Sequence, residues 1–182
     1  MPVFIALYRG INVVGKNAVK MERLRAMHER LGHRNVASYI QSGNVIFSAK
    51  GVSSAIAPKL TGEFLKEFGF AAKLLLVDAK RWAAIVAGNP YAAFAAANPK
   101  TVHLGICDGE PCLEKLTALL KKVGGSEKFV AGDAILYLHA PDGFGTSKFA
   151  AGMERACGVP MTVRNWRTVE AILGMVKGDA EA

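Results

Sequence analysis

A loop that carries two cations and two glycines follows the first apolar run of the sequence. Arg9 ends that run, and residues 10–17 contain both glycines and Lys16. Glycine allows a backbone to approach a ligand closely, and the N–H groups of a loop before a helix can bind an anion. The loop therefore predicts a phosphate-binding site in which Arg9 and Lys16 supply positive charge. Ordinary turn formation around the glycines is the alternative.

The spacing from Gly10 to Lys16 also fits GxxxxGK, the start of a P-loop. The next residue is Asn17, so the hydroxyl that ligates Mg²⁺ in a P-loop is missing. P-loop enzymes also need parallel strands joined by crossover helices, whereas the apolar pattern of this chain contains two hairpins. We therefore do not expect a P-loop NTPase.

Polar side chains on the next predicted turn could complete an anion site. Gln41, Ser42 and Asn44 offer neutral hydrogen bonds. Asn12, in the first loop, could orient a ligand in the same way. The alternative is that Gly43 supplies the positive φ of a tight turn, while its polar neighbours bond the backbone.

A further cluster of functional groups lies at the end of a predicted strand near the C-terminus. Trp166 could stack on a base or sugar while Arg164 or Arg167 binds phosphate. Alternatively, Asn165 caps the last helix and Trp166 packs beneath it. Lys148, which follows Ser147 at a predicted helix start, is either a second anion contact or a surface lysine beside a cap. The candidate ligand-binding residues are therefore Arg9, Asn12, Lys16, Gln41, Ser42, Asn44, Lys148, Arg164 and Trp166.

The remaining nucleophilic and titratable side chains form no recognisable catalytic set. The histidines lack the spacing of metal ligands, although His28 and His33 lie near one predicted helix end. A structural or surface role is expected for each of them. Cys107 and Cys157 are expected to be small core residues. The sequence thus predicts no metal and no cofactor, and it leaves catalysis undecided.

The order of apolar periodicities predicts a duplicated α+β fold. The first part reads as strand, helix, two strands joined by a glycine turn, helix and strand, which is the ferredoxin-like βαββαβ unit. A helix at about residues 79–87 and an alanine-rich connector follow, and then the same order of elements repeats. We therefore predict two tandem ferredoxin-like halves, residues 1–90 and 91–182, with antiparallel sheets and an extra helix after each half.

This topology determines where the polar loops should lie. The end of the first strand and the tip of the central hairpin share one edge of such a unit, so residues 9–17 should meet residues 41–44. At the opposite edge, residues 141–148 of the second half should meet residues 164–167. If a pseudo-twofold axis relates the halves, both clusters come together in one site, which is a hypothesis.

Composition and charge narrow the classes of partner. Of the 182 residues, 51% are hydrophobic and 21% are charged, which excludes a disordered chain. No apolar run approaches the roughly 20 residues of a membrane span, and the cysteine usage fits a reducing cytoplasm. The net charge of +8 lies entirely in residues 1–90, which favours an anionic partner. A solvated, charged helix face is the alternative.

These observations predict a cytoplasmic binding module for a phosphate-bearing ligand, either a nucleotide-like metabolite or nucleic acid. The predicted sheets lack a clear aromatic pair of the kind that binds RNA, which favours a small anion. The alternative is an enzyme acting on a phosphorylated or acidic small molecule, in which Lys16 or Arg164 stabilises negative charge. A protein-interaction scaffold with exposed sheet edges is a third possibility, and nothing in the sequence determines the oligomeric state.

Three motifs, in this order, resemble the bacterial domain-of-unknown-function family 1697. They are RGINVVGKN at residues 9–17, YIQSGNV at residues 39–45 and RNW at residues 164–166. Members of that family more often carry two glycines before the lysine, and they tend to show two threonines before the RNW segment. The resemblance implies a duplicated α+β fold, and it implies no activity or cofactor.

Overall fold

The structure is a computed structural model that describes residues 1–13 and 16–180. Val14 and Gly15, which belong to the predicted anion-binding loop, lie outside the described residues. The described chain is a mixed α+β protein with seven helices and two four-stranded antiparallel sheets. The predicted α+β class with antiparallel sheets is therefore confirmed.

The chain divides into two compact units. The first comprises Met1–Ala87 and the segment that begins at Ala171, and the second comprises Gly88–Glu170. The last helix therefore contributes residues to both units. The sequence-based halves, 1–90 and 91–182, assign that whole helix to the second half, and they stay a prediction about domain organisation.

The first unit contains four strands and three complete helices. In chain order these elements are β1 (Val3–Arg9), α1 (Met21–Arg30), β2 (Arg34–Tyr39), β3 (Asn44–Ser48), α2 (Ser53–Phe68), β4 (Lys73–Asp78) and α3 (Ala79–Ala87). The strand order is β2-β3-β1-β4, and every neighbouring pair is antiparallel. β1 and β3 occupy the middle of this sheet, which explains why nearly all of their residues are buried.

The core of the first unit forms where α1 and α2 pack on the sheet. Leu24 and Met27 of α1 are fully buried, as are Leu60 and Phe64 of α2. The three- and four-residue spacing places each pair on one face of its helix. These side chains join Phe47 of β3 in one apolar cluster, and each contributes roughly 1.5–3 kcal/mol through burial.

The second unit repeats the arrangement of strands. Its elements are α4 (Ala92–Ala97), β5 (Val102–Cys107), α5 (Leu113–Val123), β6 (Lys128–Gly132), β7 (Ile135–His139), α6 (Lys148–Cys157), β8 (Met161–Asn165) and the start of α7 (Trp166–Ala180). The strand order is β6-β7-β5-β8, again with antiparallel neighbours throughout. Leu116 of α5 and Phe149 of α6 are buried in the core of this unit.

One segment differs from the sequence-based expectation. The alanine-rich stretch that the sequence presents as a connector forms the short helix α4. Alanine has the highest helix propensity of the amino acids, and the stretch lies between two Asn-Pro pairs that confine the helix to a few residues. The predicted helix near residues 79–87 is present as α3.

The strand directions and the helix lengths bear on two protein classes, namely P-loop enzymes and proteins with membrane-spanning helices. All strand pairs are antiparallel, which differs from the parallel sheet of a P-loop enzyme. None of the helices in the described part of the chain has the length and hydropathy needed to cross a membrane.

Candidate functional site

The first predicted loop and the β2–β3 turn lie side by side. The side-chain amide of Asn12 donates a hydrogen bond to the carbonyl oxygen of Gln41 (2.8 Å). The backbone N–H of Tyr8 donates to the carbonyl oxygen of Gly43 (2.8 Å). The first bond joins the loop after β1 to the hairpin tip, and the second joins β1 itself to that tip, so the predicted meeting of these segments at one edge of the sheet is confirmed.

Gly43 allows this close contact because it has no side chain between the turn and β1. Its φ is +76°, a conformation that favours glycine. A Cβ at this position would lie 2.9 Å from both the Cβ and the carbonyl oxygen of Tyr8, and 2.8 Å from Cδ1 of Ile11. The backbone conformation and the available space therefore both require glycine here.

Asn12 holds the first loop together. Its φ of +52° lies in the left-handed region, which asparagine adopts more readily than most residues. Oδ1 accepts a hydrogen bond from the N–H of Val19 (2.7 Å). Nδ2 donates to the carbonyl oxygens of Val19 (3.0 Å) and Gln41 (2.8 Å). Both amide hydrogens are thus engaged, which leaves one lone pair of Oδ1 for a ligand.

Ser42 and Asn44 fasten the tip of the hairpin. Asn44 is fully buried, and its side-chain amide donates to Oγ of Ser42 (2.9 Å) and to the carbonyl oxygen of Tyr39 (3.2 Å). The side chain of Gln41, by contrast, is exposed. Among the three predicted polar side chains of this turn, Gln41 is therefore the best placed to reach a ligand.

The two predicted cations of the first loop differ in exposure. Arg9 is half-buried at the end of β1, whereas Lys16 is exposed. The backbone N–H of Lys16 donates to the carbonyl oxygen of Val13 (2.8 Å), which holds these two residues of the loop together. Residues 18–20 then separate the loop from α1, which begins at Met21. The N–H groups of the loop are therefore not those of the helix N-terminus.

A surface cavity of about 520 Å³ lies beside these segments. Asn12 and Gln41 line it, and so do two cations, Lys20 and Arg25. Glu22 is the single carboxylate among the described residues that line this cavity. Two of the predicted ligand-binding residues thus share a cavity with a net positive charge.

Lys20 and Arg25 were not among the predicted site residues. Arg25 is held by a hydrogen bond that its Nη1 donates to Oγ of Ser38 (2.7 Å). The available sequence signal was the run of seven cations from Arg9 to Arg34. That run does not distinguish which of its members face the loops, because the distinction depends on how α1 packs on the sheet.

In the second unit, Asn165 and Trp166 support the start of α7. Oδ1 of Asn165 accepts a hydrogen bond from the N–H of Thr168 (2.9 Å), which is an N-cap. Trp166 is 3% exposed, and its indole N–H donates to Oε1 of Glu170 (3.0 Å). This burial fits the packing alternative, because a buried ring offers no face on which a base could stack.

Arg164 forms hydrogen bonds within its own strand. Its Nη1 donates to Oγ1 of Thr162 (2.9 Å) and to the carbonyl oxygen of Val163 (3.0 Å). Burial lowers the pKa of Arg164 to about 10, so the guanidinium stays charged at neutral pH.

Lys148 is exposed at the start of α6. The preceding residue, Ser147, is the N-cap, and its Oγ accepts a hydrogen bond from the N–H of Ala150 (2.9 Å), so the predicted cap is confirmed. Lys148 lines a cavity of about 230 Å³ together with Glu127 and Asp142. Because these carboxylates oppose a bound anion, Lys148 is the least favourable of the predicted contacts.

The second predicted edge cluster also forms within its own unit. The ring of Phe144 stacks on His103, with 4.3 Å between centroids, and His103 pairs with Asn165 in the β5–β8 ladder. The loop before α6 and the end of β8 therefore lie at one edge of this sheet. A single site built from the edge clusters of both units stays a prediction.

The described cysteines and acidic residues add no metal site. Among the described residues, no group of three or more histidine, cysteine, aspartate or glutamate side chains could hold a metal ion. Cys107 and Cys157 are buried, as predicted. Their sulfur atoms lie 3.7 Å apart, and burial raises the pKa of Cys107 to about 12, so this thiol is protonated at neutral pH.

Comparison with known proteins identifies the family. The family model described as a protein of unknown function (DUF1697) matches residues 1–137. The chain belongs to the DUF1697 family. The match covers the whole of Met1–Ala87, which contains the first loop, the hairpin tip and the 520 Å³ cavity.

A solved structure has the same fold as this DUF1697 protein. It is the conserved bacterial protein SP0830 from Streptococcus pneumoniae, with a TM-score of 0.72 and 23% sequence identity. The similarity covers 96% of this chain and 98% of that one. No curated protein matches the chain. Membership of DUF1697 brings no activity with it, so a function has to be argued from the chain's own residues.

Proposed function

We propose that this protein binds a phosphate-bearing ligand, either a nucleotide-like metabolite or nucleic acid, in the cytoplasm. The site would be the surface of the first unit where the loop after β1 meets the β2–β3 turn. The observation that carries this proposal is the 520 Å³ cavity in which Asn12 and Gln41 lie beside Lys20 and Arg25. The cations would attract the phosphate, and the amides would orient it through hydrogen bonds.

The charge of the surrounding surface supports this assignment. Residues 1–90 contain 13 lysines and arginines against five aspartates and glutamates, a difference of +8. A clustered positive field speeds the encounter with phosphates. Arg9 and the exposed Lys16 belong to the segment that also supplies Asn12, so they would extend the positive charge of the site.

The predicted residues of the second unit would contribute charge or packing, and they do not line the proposed cavity. Arg164 retains its charge and Lys148 is exposed, so both would attract a phosphate to the edge cluster of the second unit. Trp166, which is buried, would support the RNW segment by packing and would touch a ligand only after a rearrangement. Ser42 and Asn44 would act mainly by holding the turn that presents Gln41.

We further propose that each half is a ferredoxin-like unit and that the two halves arose by duplication. The corresponding strand orders, β2-β3-β1-β4 and β6-β7-β5-β8, support this, since the ferredoxin-like unit has an antiparallel sheet of this order. Superposition of the two units in an experimental structure would test it. A different pairing of either edge strand would count against the duplication.

The ligand site is tested by thermal shift and calorimetry with phosphate compounds and short oligonucleotides. We expect ligands to raise the melting temperature, by an amount that grows with the logarithm of the ligand concentration divided by its Kd. The variants Lys16→Ala and Lys20→Ala should each weaken binding about fivefold, the size of one charge contact near water. Lys20 makes no side-chain cap on α1, so its replacement should leave the fold intact.

Lys80→Ala is the matched control, because Lys80 is an exposed lysine of the first unit outside this cavity. It should leave affinity unchanged. The proposal is contradicted if no phosphate compound or oligonucleotide binds, or if the control loses as much affinity as the two site variants.

A further inference from the structure

The turn after α1 brings two histidines into contact. His28 lies on the buried face of α1, in the last turn of the helix. Gly32, with φ of +81°, reverses the chain, and the N–H of His33 then bonds the carbonyl oxygen of His28 (3.2 Å). As a result the Nδ1 atoms of the two imidazole rings lie 3.1 Å apart, which is hydrogen-bond distance.

The inner end of this pair reaches the core. His28 is fully buried, and its Nε2 lies 3.0 Å from the hydroxyl of Tyr8 on β1. Burial lowers the pKa of His28 to about 3 and raises the pKa of Tyr8, so both groups are neutral at pH 7. Tyr8, His28 and His33 therefore form a hydrogen-bonded chain that begins in the core.

The outer end of the chain opens into a second cavity. His33, which stacks on Phe47 with 4.4 Å between centroids, lines a surface cavity of about 460 Å³. Three cationic side chains line the same cavity, namely those of Arg34, Lys50 and Lys59, and Met1 lines it as well. No carboxylate occurs among its described lining residues, and none in the described chain forms an ion pair with these cations.

This cavity, which we call the histidine cavity after His33, is separate from the proposed loop site. In the β2–β3 ladder, Arg34 pairs with Ser48, whereas Tyr39 pairs with Asn44 at the other end. The histidine cavity therefore lies at the base of the hairpin, and the proposed loop site lies at its tip. The described residues that line the two cavities do not overlap.

We propose that the histidine cavity is a second binding site, for a small phosphate-bearing molecule, and that His33 takes up one proton when the anion binds. Arg34, Lys50 and Lys59 supply the positive charge. The Nδ1 of His33 is engaged with His28, so its Nε2 is the ring nitrogen that can donate a hydrogen bond to a phosphate oxygen. The volume of the cavity suits a small molecule.

The hydrogen-bonded chain accounts for where every proton resides. The added proton comes from solvent and makes His33 an imidazolium, which donates from Nε2 to the ligand and from Nδ1 to His28. His28 stays neutral with its proton on Nε2, and it donates that hydrogen to the hydroxyl oxygen of Tyr8. No other bond forms or breaks. The buried residues of this chain, His28 and Tyr8, thus fix the orientation of the His33 ring for binding.

The charges around His33 set the direction of the pH dependence. In the empty site, burial lowers the pKa of His33, and Arg34, Lys50 and Lys59 also oppose its protonation. His28 and Phe47 face it as neutral groups, and the carbonyls at the end of α1 favour a cation there. A bound dianion offsets the three cations and raises the pKa of His33, so affinity should increase as the pH falls from about 8 to about 6.

The test is calorimetric titration of the full chain with inorganic phosphate, and with sulfate as a probe whose charge is constant over this pH range. Titrations in two buffers of different ionisation enthalpy give the number of protons taken up per anion. Lys50→Ala and Lys59→Ala should each weaken binding about fivefold. His33→Gln should abolish the proton uptake and flatten the pH dependence for sulfate. Lys66→Ala and Lys80→Ala, which remove lysines outside this cavity, should change neither quantity.

The outcomes separate this site from the proposed loop site. Loss of affinity in the Lys50 and Lys59 variants, with no effect of Lys16→Ala, assigns the anion to the histidine cavity. If neither anion binds the wild-type chain, if binding is insensitive to Lys50→Ala and Lys59→Ala, or if no proton is taken up, the inference is overturned. Circular dichroism of each variant shows whether it is folded, and a folded His33→Asn variant replaces His33→Gln if the latter is unstable.

Discussion

Gly43 is the residue at which the hairpin tip comes closest to β1. Two separate features require glycine there, namely the φ of +76° and the 2.9 Å that would separate an added Cβ from the Cβ and carbonyl oxygen of Tyr8. Since the N–H of Tyr8 also bonds the carbonyl oxygen of Gly43, any shift of the turn would cost this hydrogen bond. The position of Gln41 therefore depends on the absence of a side chain two residues later.

Gly43→Ala should lower the free energy of unfolding by at least about 2 kcal/mol, from left-handed strain and steric overlap together. Urea unfolding measures this loss. Gly10→Ala is the matched control, because Gly10 has nearly the same φ, +77°, but open space around an added Cβ. Gly10→Ala should lower the free energy of unfolding only by the left-handed backbone strain, about 1–2 kcal/mol. Equal losses in the two variants would contradict the steric argument.

The asparagines of the candidate site show which residue roles are not visible in a sequence. Asn12 and Asn44 were predicted to orient a ligand, and their residue type permits that role. In the structure their amides bond Val19, Gln41, Ser42 and Tyr39. Asparagine serves equally well as a turn residue or a ligand contact, and only the tertiary positions of its possible acceptors decide between these uses.

Helices α1 and α2 are joined at their surface by one carboxylate. Glu67 of α2 accepts hydrogen bonds from Nε and Nη2 of Arg23 (3.0 and 2.8 Å) and pairs with Nη2 of Arg30 at 2.5 Å. The hydrogen bond from Arg23, followed by the charges of both arginines, lowers the pKa of Glu67. Because a carboxylate with a lowered pKa stabilises the fold only when ionised, this contribution depends on pH.

The contribution of Glu67 should be present above its unfolded pKa, about 4.5, and should disappear as the pH falls through its lower folded value. The difference in unfolding free energy between the wild type and Glu67→Gln should therefore be larger at pH 7 than at about pH 3. Urea unfolding at several pH values measures it. Added salt should reduce the difference at pH 7, since the arginines are largely exposed. A difference that is constant with pH would refute the ion-pair explanation.

The elements themselves were largely predictable, whereas their contacts were not. Buried strands such as β1 and amphipathic helices such as α5 have periodic patterns that are local in sequence. α4 was missed because its alanines carry no periodicity. The contact between His28 and His33 was missed because a separation of five residues is not a helical spacing. The contact depends on the left-handed turn at Gly32. The sequence order of His28, Gly32 and His33 was nevertheless a usable signal for a contact between the two histidines.

The uneven distribution of charge over the whole molecule gives a test of the ligand class. The net charge of +8 lies in residues 1–90. The logarithm of the binding constant for a single-stranded oligonucleotide should therefore fall linearly with the logarithm of the salt concentration. Lys16→Ala should reduce that slope by about one phosphate contact. Fluorescence anisotropy at several salt concentrations measures both quantities. A binding constant that does not change with salt would exclude nucleic acid and leave the small phosphate-bearing molecule.

The last helix has a practical consequence for the way this chain can be dissected. The boundary between the compact units falls inside α7, between Glu170 and Ala171. A gene fragment that stops near residue 90 therefore encodes a first unit without its final piece, and the complementary fragment ends with a stretch of helix that belongs to the other unit. Any cut at the boundary between residues 90 and 91 therefore separates the end of α7 from the unit with which it is grouped.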